Sequence, residues 1–580
     1  MFLITSAVTA AILFLYALIG KMRGSGLKLF PGRFLLIIIT ALVSGLIFWK
    51  ARPAIGFDYP AVWIWIAFVI ILGPLLAVKN KYDSIMFSPV LFYIIVVLIF
   101  SIINGRMIRS ADYRDLMGDS IVSTESIEFT SDIEPVSLEN LRVVDQALAR
   151  QRGGTLIESI PGLGSQVSLG QMNIQNLNGS FDIVTGAGES RTLRFDNELV
   201  WAGVLHPSGA FKEKSTPGYI IVSALDAGRA YFITSVNSED LSVKYSTGHY
   251  FSHNIVRYLR ENGYMTKGIA DYTFELSDDG RPYYVVTLYE KTIGWKAPEA
   301  TGIVLVDVES GEINEYSIND APSFIDRIQP EDFITIQLND WGKLVHGWLN
   351  GFVKQKDVLT KTDGTSLVYS GGEAYFYSGI QSAGSDRGTT GFVLVNTRTK
   401  ATKMYRISGI SEDRAGEALE NAKGVKEAGY SATSAILYNI GSRPVYFSTL
   451  KGADGLVKMY GFVSLKNEQV LGVGSTVREA LRAFETALIN SNDSLSLDSV
   501  VNAVNLEAIV SATAQETMSG MTYYYLMLEG YPELEFLGSS DSFRELKWTQ
   551  PGDRVQLVYP EGDSRTVSIR QFDNLNMVLD

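Results

Sequence analysis

The chain has 580 residues, 46% of them hydrophobic and 19% charged, with a formal net charge of −13. It holds no cysteine, which excludes disulfides, thiol catalysis and Cys-ligated zinc. The charge is split: residues 1–105 carry a net of +6 and residues 106–580 the remaining −19, and an acidic region repels phosphate backbones, so nucleic acid is not an expected partner.

Four apolar runs, Phe2–Ile19, Phe34–Trp49, Pro60–Val78 and Met86–Ile103, each free of charged residues, approach the ~20 residues that cross a ~30 Å hydrocarbon core. They predict a four-helix transmembrane anchor over 1–105, in contact with the lipid bilayer. Trp49, Tyr59, Trp63 and Trp65 lie at or near run ends, where interfacial aromatics belong. Lys21, Arg23, Lys28, Arg33, Lys79 and Lys81 fall on one side; Lys50, Arg52, Arg106, Arg109 and Arg114 fall on the other. Six against five places both flanks of the anchor, and the large C-terminal region, outside the cytoplasm. No Asp, Glu, Lys, Arg or His lies inside a run, which argues against a pump or transporter. Ala41-x-x-x-Gly45 is a small-residue pattern suited to close helix packing.

Residues 106–136 read as a linker with at most one strand, Ser126–Thr130. Over 137–270 a first α+β region is expected. It opens with a helix whose Leu141, Val144, Ala147 and Leu148 share a face and which ends near Gly153-Gly154; short strands and loops follow over 155–190. A unit then recurs: a tyrosine-rich strand, a loop, a Gly-led apolar strand, a turn and a helix. Its copies occupy 271–360, 361–435 and 436–518. Tyr283 precedes Gly302, Tyr375 precedes Gly391 and Tyr446 precedes Gly461 by similar gaps. In the first copy a helix is expected from Pro330 through Ile334, Leu338, Trp341, Val345 and Trp348. In the third, Thr476-x-x-Glu479 is a capping box. Residues 519–580 read as a small β-barrel-like domain. The expected fold is therefore a four-helix transmembrane anchor plus an α+β ectodomain of repeated antiparallel-sheet/helix modules.

The run Val306, Asp307, Gly311, Glu312, Ile313, a strand ending in Asp before a Gly-Glu turn, resembles the PepSY-type module. The copies at 371 and 441 carry Asn396 and Leu465 in place of Asp307. The wider pattern resembles bacterial and phage polytopic membrane proteins with large β-rich ectodomains. The resemblance implies an extracytoplasmic binding or regulatory role and supplies no catalytic residue.

Chemistry was sought by residue type. His249-x-x-x-His253 has the spacing of a helical metal pair but no third ligand. No G-x-S-x-G occurs, and Ser25-x-x-Lys28 stands in a short loop without partner motifs. Asp278-Asp279, Asp307/Glu309/Glu312, Glu331-Asp332 and Asp493/Asp498 are available for acid–base work, yet most stand where turns and helix starts favour carboxylates. No catalytic, cofactor or metal residue is assigned. The expectation is a non-enzymatic membrane scaffold or regulator, homo-oligomeric or bound to other envelope proteins. The alternatives are an envelope hydrolase with paired carboxylates, or a membrane-anchored ligand sensor.

Overall fold

The computed structural model describes the chain apart from residues 1, 23–30, 78–87, 119, 125–132, 134, 211–214, 363–365, 385–387, 442, 492–502, 519–520, 540–542, 561–565, 570 and 578–580. Two compact units emerge: Met1–Ile127 with Glu139–Ser411, and Glu128–Leu138 with Glu412–Asp580. The expected strand Ser126–Thr130, the Asp493/Asp498 pair, Ser25-x-x-Lys28 and the loop lysines Lys79 and Lys81 lie outside the described residues.

The apolar N-terminal sequence forms α1 (Phe2–Met22), α2 (Pro31–Ala51), α3 (Pro60–Ala77) and α4 (Ser88–Ile103). One stretch, Phe2–Ile19, is long and apolar enough to cross a membrane. The expectation of four transmembrane helices, and with it a multi-pass anchor, is overturned. The other apolar stretches among the described residues, Leu35–Ala51, Pro60–Leu72 and Pro89–Ile103, are 10–17 residues long. Some side chains of these helices serve protein contacts. Trp63 and Phe100 both pack on Trp295, at 5.4 and 4.6 Å between ring centroids. Gly45 lets α1 and α2 touch, since a Cβ there would lie 2.0 Å from Ser6 Oγ. Trp65 Nε1 donates to Thr9 Oγ1 and Ser44 Oγ, both at 3.0 Å, and so ties α3 to that contact. The outer faces still expose large apolar side chains, Leu3, Leu35, Ile64 and Phe92 among them.

The stretch expected as a linker instead carries α5 (Ser110–Gly118) and β1 (Ile121–Thr124). Burial explains the difference: Tyr113 and Met117 are 1% and 0% exposed. Next, α6 (Gln146–Glu158) starts at Asp145, whose side chain accepts from the Leu148 amide. Gly153 does not end this helix. It is the point of closest approach to the sheet, where a Cβ would meet Leu169 Cδ2 at 2.8 Å. That sheet contains β2 (Val167–Thr185), β3 (Ser190–Pro207), β4 (Tyr219–Ser223), β5 (Ala230–Val236) and β6 (Glu239–Asp240), ordered as in the chain, and β2 also pairs with β5. Two long strands thus replace the short ones expected over 155–190.

After α7 (Ile255–Glu261) comes a four-stranded antiparallel meander: β7 (Gly268–Leu276), β8 (Pro282–Ile293), β9 (Lys296–Asp307) and β10 (Ile313–Ser317). Its inner face joins the first sheet in one core through Phe181, Val204, Phe274 and Val304. Full burial of a side chain such as Phe274 contributes about 2–3 kcal/mol. The helix that follows, α8 (Glu331–Lys343), is shorter than expected. His346 and Gly347 both take positive φ, 60° and 89°, which ends the helical path before Trp348. Ile334 and Leu338 pack on Phe376 and Val393 of the next sheet.

That sheet is built from β11 (Leu359–Lys361), β12 (Ser366–Ser370), β13 (Glu373–Ser382), β15 (Gly391–Asn396) and β16 (Thr402–Tyr405), with β1 parallel to β16 at its edge. Beside it, β14 (Gly388–Thr389) pairs with β17 (Gly409–Ile410). The second unit begins with α9 (Glu412–Glu420) and α10 (Val425–Ala428). Its sheet comprises β18 (Ser431–Ala432), β19 (Ile436–Asn439), β20 (Pro444–Lys451), β21 (Val457–Ser464) and β22 (Leu471–Gly474), followed by α11 (Val477–Asn490). Thr476 accepts from the Glu479 amide, and the Glu479 carboxylate accepts from the Ser475 amide at 3.0 Å.

The C-terminal strands are β23 (Ala503–Met518), β24 (Met521–Leu528), β25 (Tyr531–Ser539), β26 (Arg554–Pro560), β27 (Thr566–Ser568) and β28 (Gln571–Asn574). They run in the order β27-β25-β24-β23-β26-β28. The expected barrel is an open path here: among the described residues no ladder joins β27 to β28. The long β23 serves both halves, pairing with β24 and β26.

Candidate functional site

The carboxylates that the sequence offers for chemistry are mostly spent on turns. Backbone register aligns the three recurring hairpins: Tyr284 faces Val306, Phe376 faces Val395 and Tyr446 faces Val463. The next position along the second strand is Asp307, Asn396 and Ser464 in turn. Ser464, not Leu465, is therefore the register equivalent of Asp307. All three side chains do one job. Asp307 Oδ1 accepts from the Glu309 and Ser310 amides at 2.9 and 2.8 Å. Asn396 Oδ1 accepts from those of Arg398 and Thr399 at 3.0 and 2.9 Å, and Ser464 Oγ from that of Lys466 at 3.3 Å. Each supplies the acceptor that a tight turn needs for amides turned away from the ladder. Glu309 accepts from the Ser242 amide, Asp279 from Ser277 Oγ, and Glu331 and Asp332 open α8.

Sequence reasoning missed a different carboxylate pair, Glu275 and Asp326. Glu275 is 2% exposed and Asp326 8%. The Asp326 amide donates to Glu275 Oε2 at 3.2 Å, and Thr273 Oγ1 donates to Glu275 Oε1 at 2.8 Å. Asp326 Oδ2 accepts from the Asn176 amide at 2.5 Å and from the Tyr369 hydroxyl at 3.3 Å. Burial pushes Glu275 up to about 7, against the nearby positive charge of Arg327. Burial and the Glu275 charge push Asp326 up to about 8. Past the register shift between Ala270 and Tyr272, Thr273 through Leu276 pair regularly with β8 and are all buried, so both faces of β7 are covered there. The signal was an acid between Phe274 and Leu276.

β7 is an edge strand whose free groups are met by side chains. Gln175, 0% exposed, donates from Nε2 to the Leu276 carbonyl and accepts from its amide, at 2.9 and 2.8 Å. Asn173 Oδ1 accepts from the Phe274 amide at 3.3 Å. Two amide side chains of β2 thus imitate a neighbouring strand, and the carboxylate pair sits beside this seam. Enclosed in this way, the two groups can take up or release protons, but they offer a substrate no approach.

The histidines do not converge as the spacing suggested. His249 lies in a loop with Nδ1 2.6 Å from Ser246 Oγ, whereas His253 belongs to a 3₁₀ turn and packs on the Tyr245 ring. Burial lowers both His206 and His249 to about 4, so both are neutral at pH 7. His346 is exposed and pairs with Asp357 at 2.9 Å. Among the described residues no group of three His, Asp or Glu side chains is placed to hold a metal ion.

A polar cavity of about 530 Å³ lies between α5 and the β8–β9 hairpin, lined by Arg109, Asp112, Asp115, Ser120, Glu299 and Lys400. Lys400 Nζ is fixed there by Glu299, by the Leu116 carbonyl at 2.8 Å and by Gln337 Oε1 at 3.4 Å. Nearby, Arg106 grips Asp340 through two hydrogen bonds of 2.6 and 2.9 Å. This cavity brings cations and carboxylates together at a surface that a partner or ligand can reach.

No family model and no curated protein matches the chain. Among solved structures, a levansucrase mutant of B. megaterium aligns at 9% identity over 76% of this chain and 98% of that chain, with a TM-score of 0.16. At that score the likeness carries no argument about fold or activity.

Proposed function

We propose that this is a membrane-anchored, non-enzymatic protein whose β-rich, PepSY-like modules work outside the cytoplasm by contact with other proteins or with further copies of the chain. The membrane end of this reading rests on α1, whose Phe2–Ile19 stretch has the length and hydropathy of a span. The contact role rests on one observation above others. Asp307, Asn396 and Ser464, at the same position of the three recurring hairpins, are all consumed as turn acceptors, so that position shapes a turn rather than a reaction centre.

The test is extraction of the intact protein from its native membrane in mild detergent, followed by crosslinking and electron microscopy. Assemblies with module-to-module interfaces above ~1,000 Å² support the reading. A monomer without partners, or one that turns over envelope polymers at the Asp112/Asp115/Glu299 cavity, refutes it. Protease accessibility of the β-rich region in spheroplasts checks its side of the membrane.

A further inference from the structure

Three arginines gather where α2 ends: Arg52 and Arg257 oppose each other as like charges, and Arg260 bonds to the Arg52 backbone. Arg52, held at φ 52°, follows α2 directly, and its Nη1 donates to Asn254 Oδ1. Its own carbonyl accepts from Arg260 Nε at 3.1 Å. Arg260, 6% exposed, directs its Nη1 to the carbonyls of Tyr264 and Lys267. Arg257, 8% exposed, lays its guanidinium over the Trp49 ring at 4.1 Å. The Nε atoms of Arg52 and Arg257 are both buried and without a hydrogen-bond partner.

Among the described residues none of the three arginines forms an ion pair. The carboxylate whose charge acts on Arg257 is that of exposed Glu261, which does not pair with it, and the charge of Arg52 opposes that of Arg257. A buried donor left unmet, beside a like charge, is costly and calls for an anion. Arginine remains charged at any working pH, so protonation offers no way out.

We infer that Arg52 and Arg257 form a binding site for a phosphate group, with exposed Lys50 and the rim of Trp49 beside it. Guanidinium forks suit phosphate oxygens, and two of them side by side match its charge. The level of the site points to a lipid headgroup. Gly45 of α2 lies against Phe2 and Ser6 of α1, so the N-terminal end of the candidate span and Trp49, one turn past Gly45, stand at one height. Tyr250 and Phe251, 43% and 48% exposed, lead into the Asn254 that holds Arg52. The lipid source rests on the membrane reading of α1; the phosphate chemistry does not.

The full chain in neutral detergent is tested by native mass spectrometry with phosphatidylglycerol, with phosphatidylcholine and with inorganic phosphate, as wild type, Arg52→Gln, Arg257→Gln and Arg257→Lys. Preferential retention of phosphatidylglycerol, weakened at least tenfold by either glutamine and less by Arg257→Lys, establishes the lipid source. Saturable binding of inorganic phosphate that both glutamine variants lose, without lipid preference, establishes the soluble source. Binding unchanged in folded variants, or no binding of any probe to wild type, overturns the proposal. If Arg257→Gln does not fold, Arg52→Gln decides. Flotation with phosphatidylcholine vesicles checks the membrane reading separately: protein that stays unbound there while holding inorganic phosphate refutes the anchor and leaves the site standing.

Discussion

Replacing Glu275 by glutamine makes the interior of the first unit less sensitive to pH. The amide keeps the shape of the side chain: its oxygen accepts from the Asp326 amide, and its NH2 donates to Thr273 Oγ1, whose hydroxyl turns to accept. Glu275 has its folded value pushed up to about 7 from 4.5. Below pH ~4.5 the carboxyl is protonated in both folded and unfolded chains, and its burial costs no ionisation energy. As the pH rises to about 7 the unfolded chain releases the proton more readily, and stability falls; above that both states are ionised and the loss is complete. At 1.36 kcal/mol per pH unit the loss is about 3 kcal/mol for this group alone. Asp326, raised through the same burial, adds to the slope but is coupled to Glu275, so the two do not sum. Whole-chain melting is a poor assay for two units. Hydrogen exchange at the amides of Asp326 and Leu276 reports local opening instead. Glu275→Gln should raise their protection over wild type by about a hundred-fold more at pH 8 than at pH 4.5. An equal ratio at the two pH values would refute the reasoning, because Glu275 would then ionise like a surface carboxylate.

Gln175→Ala leaves the Leu276 amide and carbonyl without partners, at a cost of about 2–4 kcal/mol, read as faster exchange along β7 and not along β9. Gly472→Ala puts a Cβ 2.0 Å from the Phe484 amide nitrogen, so α11 must lift from β22. A loss of about 3 kcal/mol, seen as proteolysis within Val477–Asn490 while the C-terminal sheet stays protected, is the expected result. Asp340→Asn removes the charge from the grip on Arg106, whose side chain is 43% exposed, so solvent screening holds the effect to about 1–2 kcal/mol. Faster hydrogen exchange at the α8 amides, a difference that disappears in 1 M salt, checks it, since salt already weakens the wild-type pair. Asn396→Ala should cost about 1 kcal/mol and Ser464→Ala less, following two turn hydrogen bonds against one; equal effects would remove the shared role.

Local pattern was legible in the sequence and long-range placement was not. The hairpins at 280–318, 371–407 and 441–474 were visible because alternating aromatic and apolar residues between turn signals are a property of neighbours in the chain. Their equivalence at Asp307, Asn396 and Ser464 needed the register, since the loops between paired strands differ in length. The helix at 110–118 escaped notice because only Tyr113, Leu116 and Met117 give it an apolar face, and its partner α8 lies some 220 residues on. Gly153 misled because the same residue serves to end helices and to let them approach sheets. Apolar letters could be counted in 1–105, but the side chains taken up by protein contacts, as Phe100 is by Trp295, could not. Of the candidate sites, the turn carboxylates were read in their local role. The Glu275–Asp326 pair and the arginine cluster join residues some 50 and 200 positions apart, and nothing in a single sequence announces such meetings.

The parallel ladder of β1 with β16 has a consequence for how the chain is made. Its partners, from Ile121↔Thr402 to Thr124↔Tyr405, are separated by about 280 residues. A ribosome adding roughly 5–20 residues per second needs about 14–56 s to cover that interval. For that time β1 stands without its partner on the growing polypeptide, because β16 has not yet been made, while the intervening meanders, whose strands follow one another closely, can close as they emerge. β1 is therefore the clasp of its unit, fastened last. A nascent chain halted before Tyr405 should hold formed hairpins around an open seam, with its short edge strand a waiting place for a chaperone.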